Sequence, residues 1–409
     1  MQHRLNAIAA LLLLLPLLGC TGRATVALPP RAPTLLIIGG GSLGETPIRP
    51  AFLQAVHSDF NQPGNVLVLP TASGAPEESG LGTTLALRDI TTRHEVGVLM
   101  LTVDDPGRAD DDAAAQKIRI ADGIWFTGGD QSRITHVFRP PGTQGLADGA
   151  DTTDTPQGPS LADQALRAMF DRGGTIAGTS AGAAMMSNPM IAGGSSDNAL
   201  LHGQGEEGVL IAPGMGLFTF GLIDQHFLQR GRLGRLIAAL EATNTRYGFG
   251  IEEGKAVVVT LGDTPDLTAL GPDRALIVNN PSGLRNDNGD RHGIRLSLLG
   301  TGDRWDPLAQ HAVPHPSKQD RAQITIPLDG PAHDPTRNAW EPGAIRDLIH
   351  ALAVDPDTPL ALTSEHFVLI FSCDRQTRFF VEPDNRGDLF ADNLLLEVRR
   401  RIFFDDTSD

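Results

Sequence analysis

Five apolar runs with helix-spaced segments among them constrain this chain more than any other feature. The runs are TLLIIGGG (34–41), NVLVLPTAS (65–73), VGVLMLTV (96–103), GIWFTGGDQ (123–131) and GTIAGTSAG (174–182). RPAFLQAVHSDF (49–60), DDAAAQKIRIAD (111–122) and LADQALRAMFDRGG (161–174) carry apolar residues every three to four positions, the spacing of an amphipathic helix. Strand and helix alternating in this way predict an α/β fold, a mostly parallel sheet flanked by helices on both faces. Sites in such sheets form at the carboxyl ends of the strands. The glycine-rich ends of three of these runs fall there.

One of those ends reads G-T-S-A-G (178–182), a nucleophile-elbow pattern in which flanking glycines let a serine sit on a sharp strand-to-helix turn. A capped helix start is the competing reading of five such residues. Ser180 is the candidate nucleophile, the Ala181 N–H at the start of the next helix an oxyanion donor, and Gly129 in GGDQ a second. A serine nucleophile also needs a base. Of the twelve histidines, His226 stands out, because it follows an apolar strand-like run in GLIDQHFLQRGRLGRL (221–236). Arg230, Arg232 and Arg235 follow it, a local positive cluster in a chain of formal charge −16. Arginine binds carboxylates bidentately, so such a cluster beside a candidate base points to substrate recognition. Gly231 marks a break, with a helix starting near Arg232. For the acid that orients His226, Asp197 in IAGGSSDN has the order Ser, Asp, His in its favour, with Glu206, Glu207, Glu252 and Glu253 as rivals.

The rest of the chain bounds these readings. The acidic balance argues against nucleic-acid binding. MQHRLNAIAALLLLLPLLGC (1–20) reads as an export signal, and its LLGC resembles a bacterial lipobox, with Cys20 the lipidated residue. Residues 1–19 would then be a signal peptide and 20–33 a tether. The expected location is outside the cytoplasm, anchored to the membrane by lipid, at the outer membrane, the cell surface or in the periplasm. Cys373 is the only other cysteine, which leaves no internal disulfide and no cysteine zinc site, and no compact histidine metal motif is present. Residues 140–160 read as a polar surface insertion within a domain spanning 34–307. RNDNGDRHG (285–293) reads as a polar hairpin turn. Residues 308–409 form a C-terminal extension without a catalytic constellation. It holds a helix candidate (341–353), a strand pair (366–373 and 377–383) and a last amphipathic helix (388–404).

FTGGDQ, GTSAGA, DQHFLQRGRLGRL and GFGIEE, in this order, strongly resemble the cyanophycinase branch of the S51 serine peptidases. The resemblance implies a flavodoxin-like or class I amidotransferase-like fold, no metal or other cofactor, and a homodimer. The implied reaction is hydrolysis of cyanophycin, a poly-aspartate backbone with arginine on each side-chain carboxyl, to β-aspartyl-arginine dipeptides. It implies Ser180 as nucleophile and His226 as base. It places Gln131, Asp224, Gln225, Arg230, Arg232 and Arg235 on substrate-contact positions, with Asp224 suited to a guanidinium and the arginines to carboxylates. Where the family has a glutamate, this reading has Asp197. The competing functions are an aspartyl dipeptidase of the same superfamily and a lipoprotein that binds peptides without cutting them.

Overall fold

The computed structural model describes residues 31–56, 63–140, 158–281, 285–321, 333–383 and 385–401. The lipobox, the signal segment and residues 141–157 of the expected insertion lie outside them. Four of the apolar runs fold as read, as β1 (Thr34–Ile38), β2 (Gly64–Leu69), β4 (Gly123–Phe126) and β5 (Thr175–Thr179). In contrast, β3 (His94–Val98) begins before the run 96–103 and ends at Val98, with residues 99–103 following it outside the strand. The five strands are parallel and lie in the order β1-β5-β4-β2-β3. Such strands are covered on both faces, and the burial shows it. Leu35 and Ile37 belong to one apolar cluster and Leu36 and Ile38 to another, all four fully buried. Beyond β1 the sheet continues antiparallel through Ala256–Thr260 and Asp266–Leu270 to the strand Arg304–Asp306. Because β5 lies between β1 and β4, the loops after all three strands meet at one edge.

A second sheet, of nine strands among the described residues, begins with the parallel pair Leu222–Gln225 and Tyr247–Ile251 and continues antiparallel through Ala275–Asn279 and Arg291–Leu299. The C-terminal residues extend this same sheet: the long strand Asn385–Arg400 pairs with Arg291–Leu299. Through Arg400 the segment read as a last amphipathic helix is therefore a strand, and residues 402–404 of it lie outside the described residues. Leu394, Leu396 and Val398 are buried while Leu395 and Glu397 are only partly so, a period of two that the run of three leucines hides. Nor do 366–373 and 377–383 pair with each other. Phe367–Ser372 and Arg378–Glu382 each pair with a different part of that long strand. The helix candidate at 341–353 is observed as Ala344–Val354.

Candidate active site

At the end of β5, Ser180 has φ 54° and ψ −114°, a backbone that a non-glycine residue adopts only when its surroundings impose it. Those surroundings are the elbow itself. A Cβ on Gly178 would lie 2.0 Å from the Gly182 oxygen, and a Cβ on Gly182 would lie 2.7 Å from the Phe126 oxygen. No larger residue at either position lets the turn close. The result lifts a half-buried Ser180 hydroxyl to the edge of the sheet.

His226 follows directly on the strand Leu222–Gln225, in a left-handed conformation at φ 48°. Its Nε2 lies 2.8 Å from Ser180 Oγ, and its Nδ1 lies 2.5 Å from Glu253 Oε1. The arrangement is a Ser–His–Glu triad drawn from two sheets. Glu253 comes from the turn after Tyr247–Ile251, and the two parallel strands of the second sheet deliver His226 and Glu253 to the same edge. The carboxylate fixes the tautomer: Nδ1–H donates to Glu253, which leaves the Nε2 lone pair to accept the serine proton.

The acid beside His226 is therefore Glu253, and Asp197 is elsewhere. Asp197 Oδ2 accepts the Trp340 indole N–H at 2.9 Å, and its Oδ1 accepts the Ser364 hydroxyl at 2.7 Å. Asp197 lies in the first turn of a helix, Ser196–His202, that packs on the helix Leu233–Thr243, and it is tied to the C-terminal segment. Of the other rivals, Glu206 and Glu207 are exposed, and Glu252 is buried with its Oε2 accepting the Arg274 N–H. Asp197, Glu365 and His366 bring metal-ligating atoms within 4.8 Å of one another, but both Asp197 oxygens already accept hydrogen bonds.

Three consecutive carbonyls, starting at the last residue of β1, assemble the triad. Ile38 O accepts the Ser180 N–H at 3.0 Å, Gly39 O accepts the His226 N–H at 2.8 Å, and Gly40 O accepts the Gly254 N–H, next to Glu253, at 3.0 Å. The sequence GGG (39–41) is what permits this. Gly40 has φ 104°, and a Cβ there would lie 2.3 Å from His226 Cε1. Gly40→Ala is expected to lower kcat by about 100-fold, the size of effect that a displacement of about 1 Å at a reacting group produces. The melting temperature should fall by only a few degrees, which pre-steady-state kinetics and calorimetry together would check.

Burial holds the His226 imidazole below its ordinary pKa, the Glu253 hydrogen bond opposes this, and Arg230 and Arg232 add to the lowering. A base is useful only when neutral. The acidic limb of kcat/KM is therefore expected to have its midpoint below the ordinary histidine value of about 6.5. A midpoint at or above that value in a pH–rate profile would contradict the geometry.

The residues expected at the substrate divide into two groups. Asp224 and Arg235 are 1% and 6% exposed and form a bidentate ion pair with each other, so Asp224 is not open to a substrate guanidinium. Arg232 is half-buried, and its Nη1 donates to the Gln225 carbonyl at 2.6 Å and to Gln225 Oε1 at 3.0 Å. Burial pushes Arg232 down to about 10, which leaves it charged at neutral pH. Arg230 is exposed at the end of the short 3-10 turn Leu228–Arg230. Gly231 breaks the chain there at φ 55°, and the helix starts after Arg232, as its sequence indicated. Gln131 is buried, and its amide donates to the Ile191 and Ala192 carbonyls. The turn that carries Gly129 reaches Ser180, since a Cβ on Gly128 would lie 3.2 Å from Ser180 Cβ. Gln229, which the sequence did not mark, holds the triad acid by accepting the Glu253 N–H on its Oε1 at 3.1 Å.

A cyanophycinase of Trichormus variabilis is 30% identical to this chain over 261 residues, which cover 61% of the chain and 77% of that relative. The chain belongs to the cyanophycinase family of S51 peptidases. A cyanophycinase of Synechococcus elongatus is likewise 30% identical, over 254 residues that cover 61% of the chain and 71% of that protein. The protein is thus a peptidase, and the serine triad fits the family's serine type. No family model matches the chain. Among solved structures, a peptidase from an acI-B1 Actinobacterium superposes with a TM-score of 0.47 at 18% identity, covering 68% of this chain and 98% of its own. A putative peptidase E protein from Listeria monocytogenes EGD-e gives 0.37 at 16% identity, covering 57% of this chain and 96% of its own.

Proposed function

We propose that this cyanophycinase-family peptidase hydrolyses cyanophycin to β-aspartyl-arginine dipeptides through an acyl-enzyme on Ser180. The observation that carries the proposal is the continuous chain of hydrogen bonds from Ser180 Oγ through His226 to Glu253. His226 takes the hydroxyl proton as Oγ attacks the scissile carbonyl and returns it to the leaving amine. Water then enters by the same route and releases the acyl group. The first turn of the helix Ala181–Ala184 leaves the Ala181 N–H without an intrahelical acceptor, beside the nucleophile. Ala181 and Gly129 are the proposed oxyanion donors. Arg230 and Arg232 are the proposed partners of substrate carboxylates, while Asp224 and Arg235 shape the wall behind them. The relatives' name and the cationic corner beside an activated serine, with Arg230 exposed, favour this substrate over a short aspartyl dipeptide.

The LLGC motif supports an exported, lipid-anchored form attached through Cys20, and family habit supports a homodimer. Among the described residues no helix is long and apolar enough to cross a membrane. The deciding experiment is mass spectrometry of the products after purified protein meets cyanophycin. Release of β-aspartyl-arginine is the expected result. An intact polymer that remains bound would favour the binding-lipoprotein reading. Cleavage confined to short aspartyl peptides would favour the dipeptidase.

A further inference from the structure

The C-terminal extension reaches the corner that carries Arg230 and Arg232. A Cβ on Gly231 would lie 2.3 Å from the Trp340 carbonyl oxygen and 2.5 Å from Trp340 Cβ, so the two backbones are in direct contact. Trp340 is itself fixed. Its indole N–H donates to Asp197 Oδ2, and its backbone N–H donates to Asn338 Oδ1 at 2.9 Å. The neighbouring Ala339 N–H donates to the Thr363 carbonyl at 2.8 Å. Asp197 is held in turn by the Ser364 hydroxyl. The residue before it, Ser196, works on the other side of the corner: its hydroxyl donates to the Gly231 carbonyl and accepts the Arg235 N–H at 3.1 Å. Two consecutive residues of one helix thus clamp Gly231 from both sides, Ser196 directly and Asp197 through Trp340. Trp340 is 143 positions from Asp197 in the chain, so this closure depends on the extension being folded in place.

We infer that Trp340, latched to Asp197, is a positioning residue for substrate binding: it holds the Arg230–Gly231–Arg232 corner at the spacing that receives substrate carboxylates. The inference rests on the proposed role of those two arginines. His226 has its own anchor in the Gly39 carbonyl, and Ser180 has one in Ile38 O, so loosening the corner weakens binding and leaves the chemical step in place. An interaction that contributes equally to ground state and transition state shows itself in KM and not in kcat.

The test uses the full chain with a soluble β-aspartyl-arginine oligomer as substrate, and three variants. Trp340→Ala is expected to raise KM about tenfold with kcat within about twofold. Trp340→Phe keeps most of the packing and loses the indole N–H, and Asp197→Asn replaces the charged acceptor of that N–H by a weaker, neutral amide oxygen. Both should raise KM about threefold, and they keep the test open if the alanine variant fails to fold. Amide hydrogen exchange over residues 228–236 of the resting protein should quicken in all three. An unchanged KM, or a loss confined to kcat, would overturn the inference while leaving the peptidase reading intact. If the wild type does not cleave the oligomer, the substrate reading fails first. Hydrogen exchange then decides the latch, and unaltered protection over 228–236 would refute it.

Discussion

Ser180→Ala is expected to lower kcat on cyanophycin by roughly four to six orders of magnitude, and His226→Ala to do the same. Both losses should be read by single-turnover product analysis. The magnitude follows from how the residues share one task. At neutral pH the serine hydroxyl is a poor nucleophile until a base removes its proton during attack. The 2.8 Å contact to a neutral Nε2 supplies that base, and burial keeps the imidazole neutral. Alanine at 180 removes the attacking atom. Alanine at 226 leaves the atom without an acceptor for its proton. Because each change disables the same step, the double variant should be scarcely slower than either single one. What remains in both is binding and the backbone donors at Ala181 and Gly129. Retention of more than about 1% of the wild-type rate by Ser180→Ala would place the reaction elsewhere and remove Ser180 from its proposed role.

How far this site could be read from the chain alone depends on how local each part is. The elbow is legible because its five residues specify their own geometry: glycines at 178 and 182 leave space that only a sharp turn uses. The parallel core is legible because buried strands show as continuous apolar runs. His226 can be found for a related reason, since it follows a strand. The orienting acid is not local. It reaches His226 only because Leu222–Gln225 and Tyr247–Ile251 pair in parallel, which nothing within either stretch encodes. The signal that could have found it was the rule already applied to Ser180, that reacting groups gather where parallel strands end. Applied to GFGIEE, it points to Glu252 and Glu253. Asp197 drew attention as the acid lying between serine and histidine in sequence, yet its partners lie 143 and 167 positions away in the extension. The last strand was hidden by composition: three successive leucines and three arginines fit a helix period as well as a strand period. Asp224 and Arg235 were read as open to substrate because a motif records residue types and not their partners, and here they are each other's partner.

The choice between Glu253 and Asp197 carries a prediction nearly as large as the first. Glu253→Gln is expected to lower kcat by about 10⁴-fold, the loss that follows when an orienting carboxylate becomes an amide and the imidazole adopts the wrong tautomer. The glutamine side chain keeps the size and the backbone hydrogen bond to Gln229, so the fold should be preserved. The new amide can direct its NH2 at Nδ1, which places the proton on Nε2, where it blocks acceptance from the serine. Glu253 is 37% exposed, so the isolated carboxylate is not an obligate part of the core, and its removal should show in rate far more than in stability. Asp197→Asn provides the matched control. It alters another partly buried acid, on the helix Ser196–His202, and its effect on kcat should stay within about twofold while KM rises through the loosened Trp340 latch. Measuring kcat and KM for the two variants side by side separates an acid that works on the histidine from one that works on the substrate corner. A collapse of kcat in Asp197→Asn with Glu253→Gln still active would reverse the assignment, and it would require the Trp340 and Ser364 hydrogen bonds to release Asp197 when substrate binds.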